Sequence, residues 1–198
     1  MTIRCVILII ALCGLTKFAH AEEPQQKPGW LVPDLAQIQF AGNKGMLSAY
    51  SGWYLDENKY FDFAVGYGFA PASQTYEPVH KLLVQFSYHF GHHQFFRENY
   101  LKPFIGLSGS YQLFSSELTF FGLPDFIPSG YYSPNAVRAY LDLGLELTRT
   151  LPDLLSGIGI YMLVTTNDLY LYNALKSSEV KFMQAFSLGL GLRIYFFD

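Results

Sequence analysis

Along most of the chain, large apolar residues alternate with small or polar ones. The clearest stretch covers residues 60–69, where the large apolar positions are Phe61, Phe63, Val65, Tyr67 and Phe69. Because successive side chains of a β-strand point to opposite faces, this pattern predicts a strand with two different surfaces. The same alternation predicts eight strands in all, at residues 35–41, 46–55, 60–69, 80–90, 101–111, 137–148, 157–165 and 185–196.

The two faces of these strands indicate their surroundings. One face is large and apolar throughout, whereas the other combines Gly, Ala and Ser with scattered charges. Since a small barrel has little interior space, the small and polar face belongs inside and the apolar face meets lipid. The sequence therefore predicts an all-β fold, an eight-stranded antiparallel up-and-down transmembrane β-barrel over residues 35–198. A soluble lipocalin-like barrel is the structural alternative, but its solvent face would then consist largely of Gly and Ala.

The N-terminal part has the features of a secretory signal peptide. Arg4 supplies a positive charge, residues 5–15 are apolar, and Ala19-His20-Ala21 has the A-x-A form of a cleavage site. We expect residues 1–21 to be the signal peptide and residues 22–34, which contain three prolines, to be an extended periplasmic segment. Both cysteines of the chain lie in the predicted signal peptide, so the mature chain has no thiol or disulfide.

Composition and charge agree with a membrane location. The chain is 51% hydrophobic and only 15% charged, with a formal net charge of -3. Ordinary soluble domains have about 25% charged residues, and nucleic-acid binding requires a basic surface. We therefore expect no nucleic-acid partner. The expected location is the outer membrane of a Gram-negative cell envelope, in contact with membrane lipid and lipopolysaccharide.

The predicted loops differ in length between the two ends of the barrel. With the N-terminus in the periplasm, the long connections at residues 112–136 and 166–181 face outside the cell. The third loop is rich in aromatic residues, and exposed apolar clusters mark contact sites. These two loops are predicted to present a surface to an external partner. The alternative is that the third loop folds over the barrel mouth and buries its own aromatic residues.

Several charged residues fall on the predicted inward face. Because buried charges have to be paired, they are expected to form a structural ion network that fills the lumen. The alternative is a narrow, gated path for small ions, although eight strands leave room for little more than side chains. The residues of this predicted lumen network are Asp62, Lys81, His89, Lys102, Arg138, Asp142, Glu146 and Arg193.

Histidines are the remaining candidates for chemistry. His89, His92 and His93 fall within five residues, but His89 faces the lumen and the other two occupy a predicted turn. No carboxylate is spaced to complete a metal site with them. We therefore predict no metal and no cofactor.

The strand pattern resembles that of eight-stranded bacterial outer-membrane barrels, the class that includes the membrane domain of outer-membrane protein A and the lipid A deacylases. Two blocks, residues 41–46 and 166–171, also look like those of uncharacterised barrel proteins. The resemblance implies assembly by the barrel-insertion machinery, which reads the last strand. It also raises a lipid A acyl hydrolase as an alternative function, for which the candidate catalytic residues are Ser87, His89 and His80. The deacylases carry their pair as His-x-Ser, whereas this chain has the reverse order.

Taken together, the sequence favours a non-enzymatic, porin-like envelope protein that supports the membrane or presents its loops to a partner. The lipid A-modifying hydrolase and the narrow ion pore are the two alternatives.

Overall fold

The computed structural model describes residues 29–73, 77–113, 136–151, 155–176 and 182–197. The predicted signal peptide, most of the segment 22–34 and most of the third loop lie outside these ranges. The strands are β1 (Leu35–Ala41), β2 (Leu47–Tyr54), β3 (Phe61–Ala70), β4 (Val79–His89), β5 (His93–Phe96), β6 (Asn99–Leu113), β7 (Val137–Thr150), β8 (Gly157–Asn167) and β9 (Ser187–Tyr195). A helix α1 (Asp168–Lys176) and a 3₁₀ helix (Phe182–Ala185) precede β9.

Eight of the strands form one closed antiparallel sheet. Each strand pairs with its neighbours in chain order, β4 pairs directly with β6, and β1 pairs with β9 to close the barrel. The predicted closed barrel of eight antiparallel strands is therefore confirmed. The short strand β5 was not predicted. It pairs only with the start of β6 and forms a hairpin that extends one end of the barrel.

The register of the ladders fixes the barrel's dimensions. When the paired residues are followed from strand to strand around the barrel, Leu35 of β1 leads to positions 52, 64, 85, 108 and 140 on β2, β3, β4, β6 and β7. Extending the ladders through β8 and β9 leads back to β1 at position 45 instead of 35. This shift of 45 − 35 = 10 residues around eight strands gives a strand tilt of about 40° and a backbone radius of about 8 Å. Such a barrel has space inside for side chains and little more.

The barrel wall places most of its large apolar residues on the outer surface and most of its polar and charged residues inside. The only clusters of buried apolar side chains in the described ranges are two small groups, one around Tyr50 and Leu83 and one around Phe104 and Leu163. The large apolar residues instead lie on the outer surface, including Val65, Val84, Phe86, Leu107, Leu141, Leu143, Leu145, Ile160, Met162 and Leu190.

Three large inward rings lie opposite glycines on the neighbouring strand. Phe104 pairs with Gly144, Tyr161 with Gly191, and Tyr50 with Gly66. A Cβ atom at Gly144 would lie 2.2 Å from the ring of Phe104, and one at Gly191 would lie 2.2 Å from that of Tyr161. These glycines are therefore required because each ring occupies the space that a side chain on the next strand would need.

The two ends of the barrel are built differently. At the turn end, which holds Asp34, residues 55–60, the β5 hairpin and Phe197, the connections are short. Asp34 connects β2 with the chain end that follows β9. Its carboxylate accepts a hydrogen bond from Tyr54 N at 2.9 Å, and its carbonyl accepts one from Phe196 N at 2.8 Å. The loop end holds residues 42–46, 71–73, 77–78 and α1. No helix in the described part of the chain is long and apolar enough to cross a membrane.

Helix α1 lies within the predicted fourth loop, residues 166–181, where no helix was expected. Its first turn is capped by Asn167, whose Oδ1 accepts a hydrogen bond from Tyr170 N at 2.7 Å. Asp168 also lies 3.5 Å from Arg138 of β7, which ties the helix to the barrel rim. The loop end therefore carries an ordered element above the wall.

Candidate functional site

The barrel interior is the candidate site because it concentrates the ionisable groups. Apart from Asp34 at the turn end, the buried acids of the described ranges are the lumen residues Asp62, Asp142 and Glu146. They accompany three buried bases and one histidine, which are Lys44, Lys102, Arg193 and His89. The formal charges of the acids and the bases balance with His89 neutral. Such balance is expected because an unpaired charge in a buried site costs several kcal/mol.

Arg193 is the centre of a cluster in the half of the lumen nearer the turn end. Its Nη1 lies 3.0 Å from Glu146 Oε2 and 3.6 Å from Asp62 Oδ2. Its Nε and Nη2 both donate to Gln37 Oε1, at 3.0 and 2.8 Å. The guanidinium carbon lies 5.7 Å from the Phe104 ring centre and 5.4 Å from that of Tyr161. One planar cation therefore joins four strands through directed contacts, a geometry that lysine cannot reproduce.

Glu146 is satisfied from two further directions. Its Oε1 accepts hydrogen bonds from Tyr195 Oη at 2.5 Å and from Thr148 Oγ1 at 2.9 Å. Lys102 is its direct partner on the adjacent strand and places its Nζ 4.7 Å from the Tyr195 ring centre. The carboxylate is therefore held in one position by groups from β6, β7 and β9.

The candidate catalytic residues near the turn end are packed into this cluster. His89 Nε2 lies 2.7 Å from Asp62 Oδ2, and the oxygen of Ser87 accepts a hydrogen bond from Gln85 Nε2 at 3.0 Å. Ser87 is 3% exposed and His89 2%. The imidazole is thus paired with a carboxylate, but the serine bonds to Gln85 and neither side chain is open to a substrate from outside.

His80 occupies a different place. It lies on the outer face of β4 at the loop end, where its ring contacts Tyr67 and Phe69 and its Nδ1 contacts the Tyr67 hydroxyl. Seven residues separate it from Ser87 on the same strand, which corresponds to about 23 Å. The three candidate catalytic residues therefore do not form one site.

A second polar cluster fills the half of the lumen nearer the loop end. Lys44 Nζ lies 2.6 Å from Asp142 Oδ2 and 3.2 Å from Gln85 Oε1. The same carboxylate oxygen accepts a hydrogen bond from Ser108 Oγ at 2.5 Å. Gln37 Nε2 donates to Gln85 Oε1 at 3.5 Å, so the two clusters are connected.

Lys44 was not among the predicted lumen residues. It belongs to the β1–β2 connection, where the alternation of a strand gives no direction for a side chain. The chain turns inward there through positive φ angles at Ala41, Gly42 and Gly45, of 62°, 86° and 146°. The charge count did not point to Lys44 either, because the predicted set already contained four bases, Lys81, Lys102, Arg138 and Arg193, against three acids.

The other predicted lumen residues lie towards the barrel's ends. Lys81 Nζ donates to Asn43 O and to Tyr140 Oη, both at 3.3 Å, near the loop end. Arg138 reaches Asp168 of α1 at the same end. The structure therefore gathers four of the predicted residues, Asp62, His89, Glu146 and Arg193, in direct contact around one guanidinium.

A cavity of about 250 Å³ opens at the turn end, next to the Arg193 cluster. Its basic lining residues are Lys59, Lys102 and His92, and hydroxyl groups come from several Tyr, Thr and Ser side chains. No group of three His, Cys, Asp or Glu side chains in the described ranges could hold a metal ion, so His92 and His93 do not belong to such a group.

Comparisons of the chain with models of protein families, with curated proteins and with solved structures find no match. Evidence for function therefore comes from the chemistry of the barrel wall, of the filled interior and of the two ends.

Proposed function

We propose that the protein is a non-enzymatic integral β-barrel of a bacterial outer membrane, which supports the envelope and presents its loop end to an external partner. The observation that carries this proposal is the continuous apolar outer surface of the barrel. On the described strand residues of the closed barrel, the one charged side chain that points outward is Arg149, at the turn end of β7.

The height of the apolar surface matches a bilayer. On β7 the outward apolar positions run from Val137 to Leu147, a distance of 147 − 137 = 10 residues. At about 3.3 Å per residue and a tilt of about 40°, this corresponds to about 25 Å along the barrel axis. Outer-membrane barrels expose an apolar band of about 25 Å.

Aromatic side chains border this band at both ends. Phe61, Tyr88 and Phe90 are exposed towards the turn end, and Tyr67 and Tyr111 towards the loop end. Rings with one apolar body and one polar tip are favoured at the level of lipid headgroups. Water around such a wall would contact a large contiguous apolar surface, which soluble monomers rarely expose.

The filled interior supports a structural role over a conducting one. The two connected clusters, centred on Arg193 and on the pair of Lys44 with Asp142, span the lumen and join six of the eight barrel strands. At the loop end, Tyr172, Leu175 and Met183 are more than half exposed. These side chains provide an apolar contact surface for an external partner.

The location is tested by labelling introduced cysteines. Since both natural cysteines, Cys5 and Cys13, lie in the predicted signal peptide, a single new cysteine reports its own position. Asn173→Cys lies on α1 at the loop end, and Glu57→Cys lies in an exposed turn at the other end. In intact cells, a membrane-impermeant maleimide should label N173C only; after permeabilisation it should label both. Recovery of the folded chain in the soluble fraction would contradict the proposal.

Two further measurements separate the alternatives. Mass spectrometry of lipid A from cells with and without the protein should show no change in acyl-chain number; loss of a chain would support the hydrolase. Conductance of the purified barrel in planar bilayers should stay at background, whereas reproducible single-channel steps would support the pore.

A further inference from the structure

We propose that the turn-end edge of the outer surface binds the headgroup of an anionic phospholipid through Arg149 and Arg97. This lipid site rests on the proposed membrane location, since the lipid would reach it from the surrounding bilayer. Arg149 is exposed near the end of β7, and Arg97 is exposed in the turn of the β5 hairpin. The two arginines lie on the same side of the barrel, because β5 and β7 are both neighbours of β6.

Strand pairing places the two arginines close together on the outer face. Arg149 pairs with Asn99 at the start of β6, and Asn99 pairs on its other side with Phe96 of β5. Residues that pair across neighbouring strands share a face of the sheet, so Phe96 lies on the outer face with Arg149. The guanidinium carbon of Arg97 lies 5.4 Å from the Phe96 ring centre. Since paired Cα atoms are about 5 Å apart, about 10 Å separates the backbone at Phe96 from that at Arg149, which two arginine side chains can span around one phosphate.

This edge carries an excess of positive charge. Within the described ranges, neither guanidinium forms an ion pair with a carboxylate. The two strand partners of Arg149, which are Asn99 and Ile158, are neutral. Glu98 is the acid of the hairpin turn, where its carbonyl oxygen accepts a hydrogen bond from Thr150 N at 3.0 Å. Two arginines and one glutamate leave a net charge of 2 − 1 = +1 on this hairpin and the adjoining end of β7.

Apolar side chains adjoin the arginines on the side towards the middle of the barrel. Two positions before Arg149 on β7, Leu147 lies between its strand partners Leu101 and Ile160. Leu147 and Ile160 are exposed. At about 3.3 Å per residue and a strand tilt of about 40°, this apolar row lies about 5 Å closer to the middle of the apolar band than Arg149 does. An acyl chain can therefore lie on the apolar row while its headgroup reaches the arginines.

A phosphodiester with an acyl chain suits this arrangement. A guanidinium group donates two parallel hydrogen bonds to phosphate oxygens. Long basic side chains at the border of an apolar surface bury their stems there and keep the charged end at headgroup level. A zwitterionic headgroup would bring its own cation towards the arginines, so a lipid with a net negative charge is favoured. A soluble phosphate compound would contact only the arginines, whereas a phospholipid also covers the apolar row.

The test is a lipid titration of the refolded chain in non-ionic detergent, followed by native mass spectrometry. The probes are phosphatidylglycerol and phosphatidylcholine with identical acyl chains. Since one basic residue close to an anionic lipid surface contributes about a fivefold preference, phosphatidylglycerol should bind at least about fivefold more tightly than phosphatidylcholine.

Four variants locate the lipid site. Arg149→Gln should lower the preference for phosphatidylglycerol about fivefold, and Arg97→Gln should lower it as well. Arg149→Lys keeps the charge but loses the paired hydrogen bonds of the guanidinium, so it should retain part of the preference. Lys176→Gln removes the same charge on α1 at the loop end and is the matched control, which should bind like the unchanged chain. Because Arg149 and Arg97 are exposed, their variants should fold.

Equal affinity for the two lipids, or an unchanged preference in both R149Q and R97Q, would overturn the lipid site. So would displacement of phosphatidylglycerol by an equal concentration of inorganic phosphate, because the ligand would then be a soluble phosphate. Recovery of the folded chain in the soluble fraction would instead contradict the proposed function. A chain that is labelled in cells as expected but shows no lipid preference would contradict the lipid site alone.

Discussion

The ammonium group of Lys44 lies 2.6 Å from the carboxylate of Asp142, although 98 positions separate the two residues in the chain. Both side chains are fully buried. Lys44 enters from the loop end and Asp142 projects from the middle of β7, so the pair joins the first connection of the barrel to the opposite wall. This ion pair fixes the β1–β2 connection over the lumen.

Removing one partner of this pair should be strongly destabilising. Lys44→Met leaves the Asp142 carboxylate buried with no cation, and we expect the free energy of unfolding to fall by about 3–5 kcal/mol. The measurement is urea-induced unfolding of the chain folded into phospholipid vesicles. The double variant Lys44→Met with Asp142→Leu should recover much of the loss, because it removes both charges. A double variant as unstable as the single one would show that the charges are not coupled.

Substitution of Arg193 should lower the free energy of unfolding more than substitution of any one of its partners. Arg193→Met leaves Glu146 and Asp62 without their shared cation, so we expect a loss of at least about 3–5 kcal/mol or failure to fold. Arg193→Lys should recover little, because one ammonium group cannot reach Gln37 and Glu146 as the guanidinium does. Glu146→Gln keeps an acceptor for Tyr195 and should cost less than R193M. Unfolding of the three variants in vesicles decides the order, and equal stability of R193K and the unchanged chain would contradict it.

The strand pattern was predictable from the sequence because the barrel wall imposes one simple rule. Every wall residue faces either in or out, so the alternation in residues 60–69 or 137–148 contains both the strand and the direction of each side chain. Asp62, Asp142, Glu146 and Arg193 could therefore be assigned to the interior before any contact was known. That the outward face meets a membrane stays a prediction.

The remaining features depend on information that alternation lacks. Register and the ten-residue shift arise from pairing between strands, and so do the contacts of Arg193 with Glu146 and Gln37. Lys44 lies in a connection, where no period assigns a direction. Helix α1 was missed because a nine-residue segment with no buried side chain carries only a weak apolar pattern.

The glycine opposite Phe104 provides a test of interior packing. Gly144→Ala would place a Cβ 2.2 Å from the ring, so Phe104 has to move within a filled lumen, and we expect a loss of about 1–3 kcal/mol. Adding Phe104→Leu should recover part of it. Gly109→Ala is the matched control, since its nearest neighbour is a methyl of Val84 at 3.2 Å. If vesicle unfolding gave the two glycine variants the same stability, the packing explanation would be wrong.

The outer surface gives the most direct test of whether the apolar band lies in lipid. Leu143 is 59% exposed and lies near the middle of the band, whereas Leu147 lies close to Arg149 at its turn-end edge. In a bilayer, lysine at mid-depth costs about 2–4 kcal/mol, and near the interface about 0–1 kcal/mol. Leu143→Lys should therefore destabilise the barrel in vesicles by about 2–4 kcal/mol, and Leu147→Lys by less than half as much. Since both positions are similarly exposed on one strand, loss of strand propensity or local packing should affect them alike. Equal and small effects would indicate that the outer face is not in lipid, because lysine on a water-facing strand changes stability little at either height.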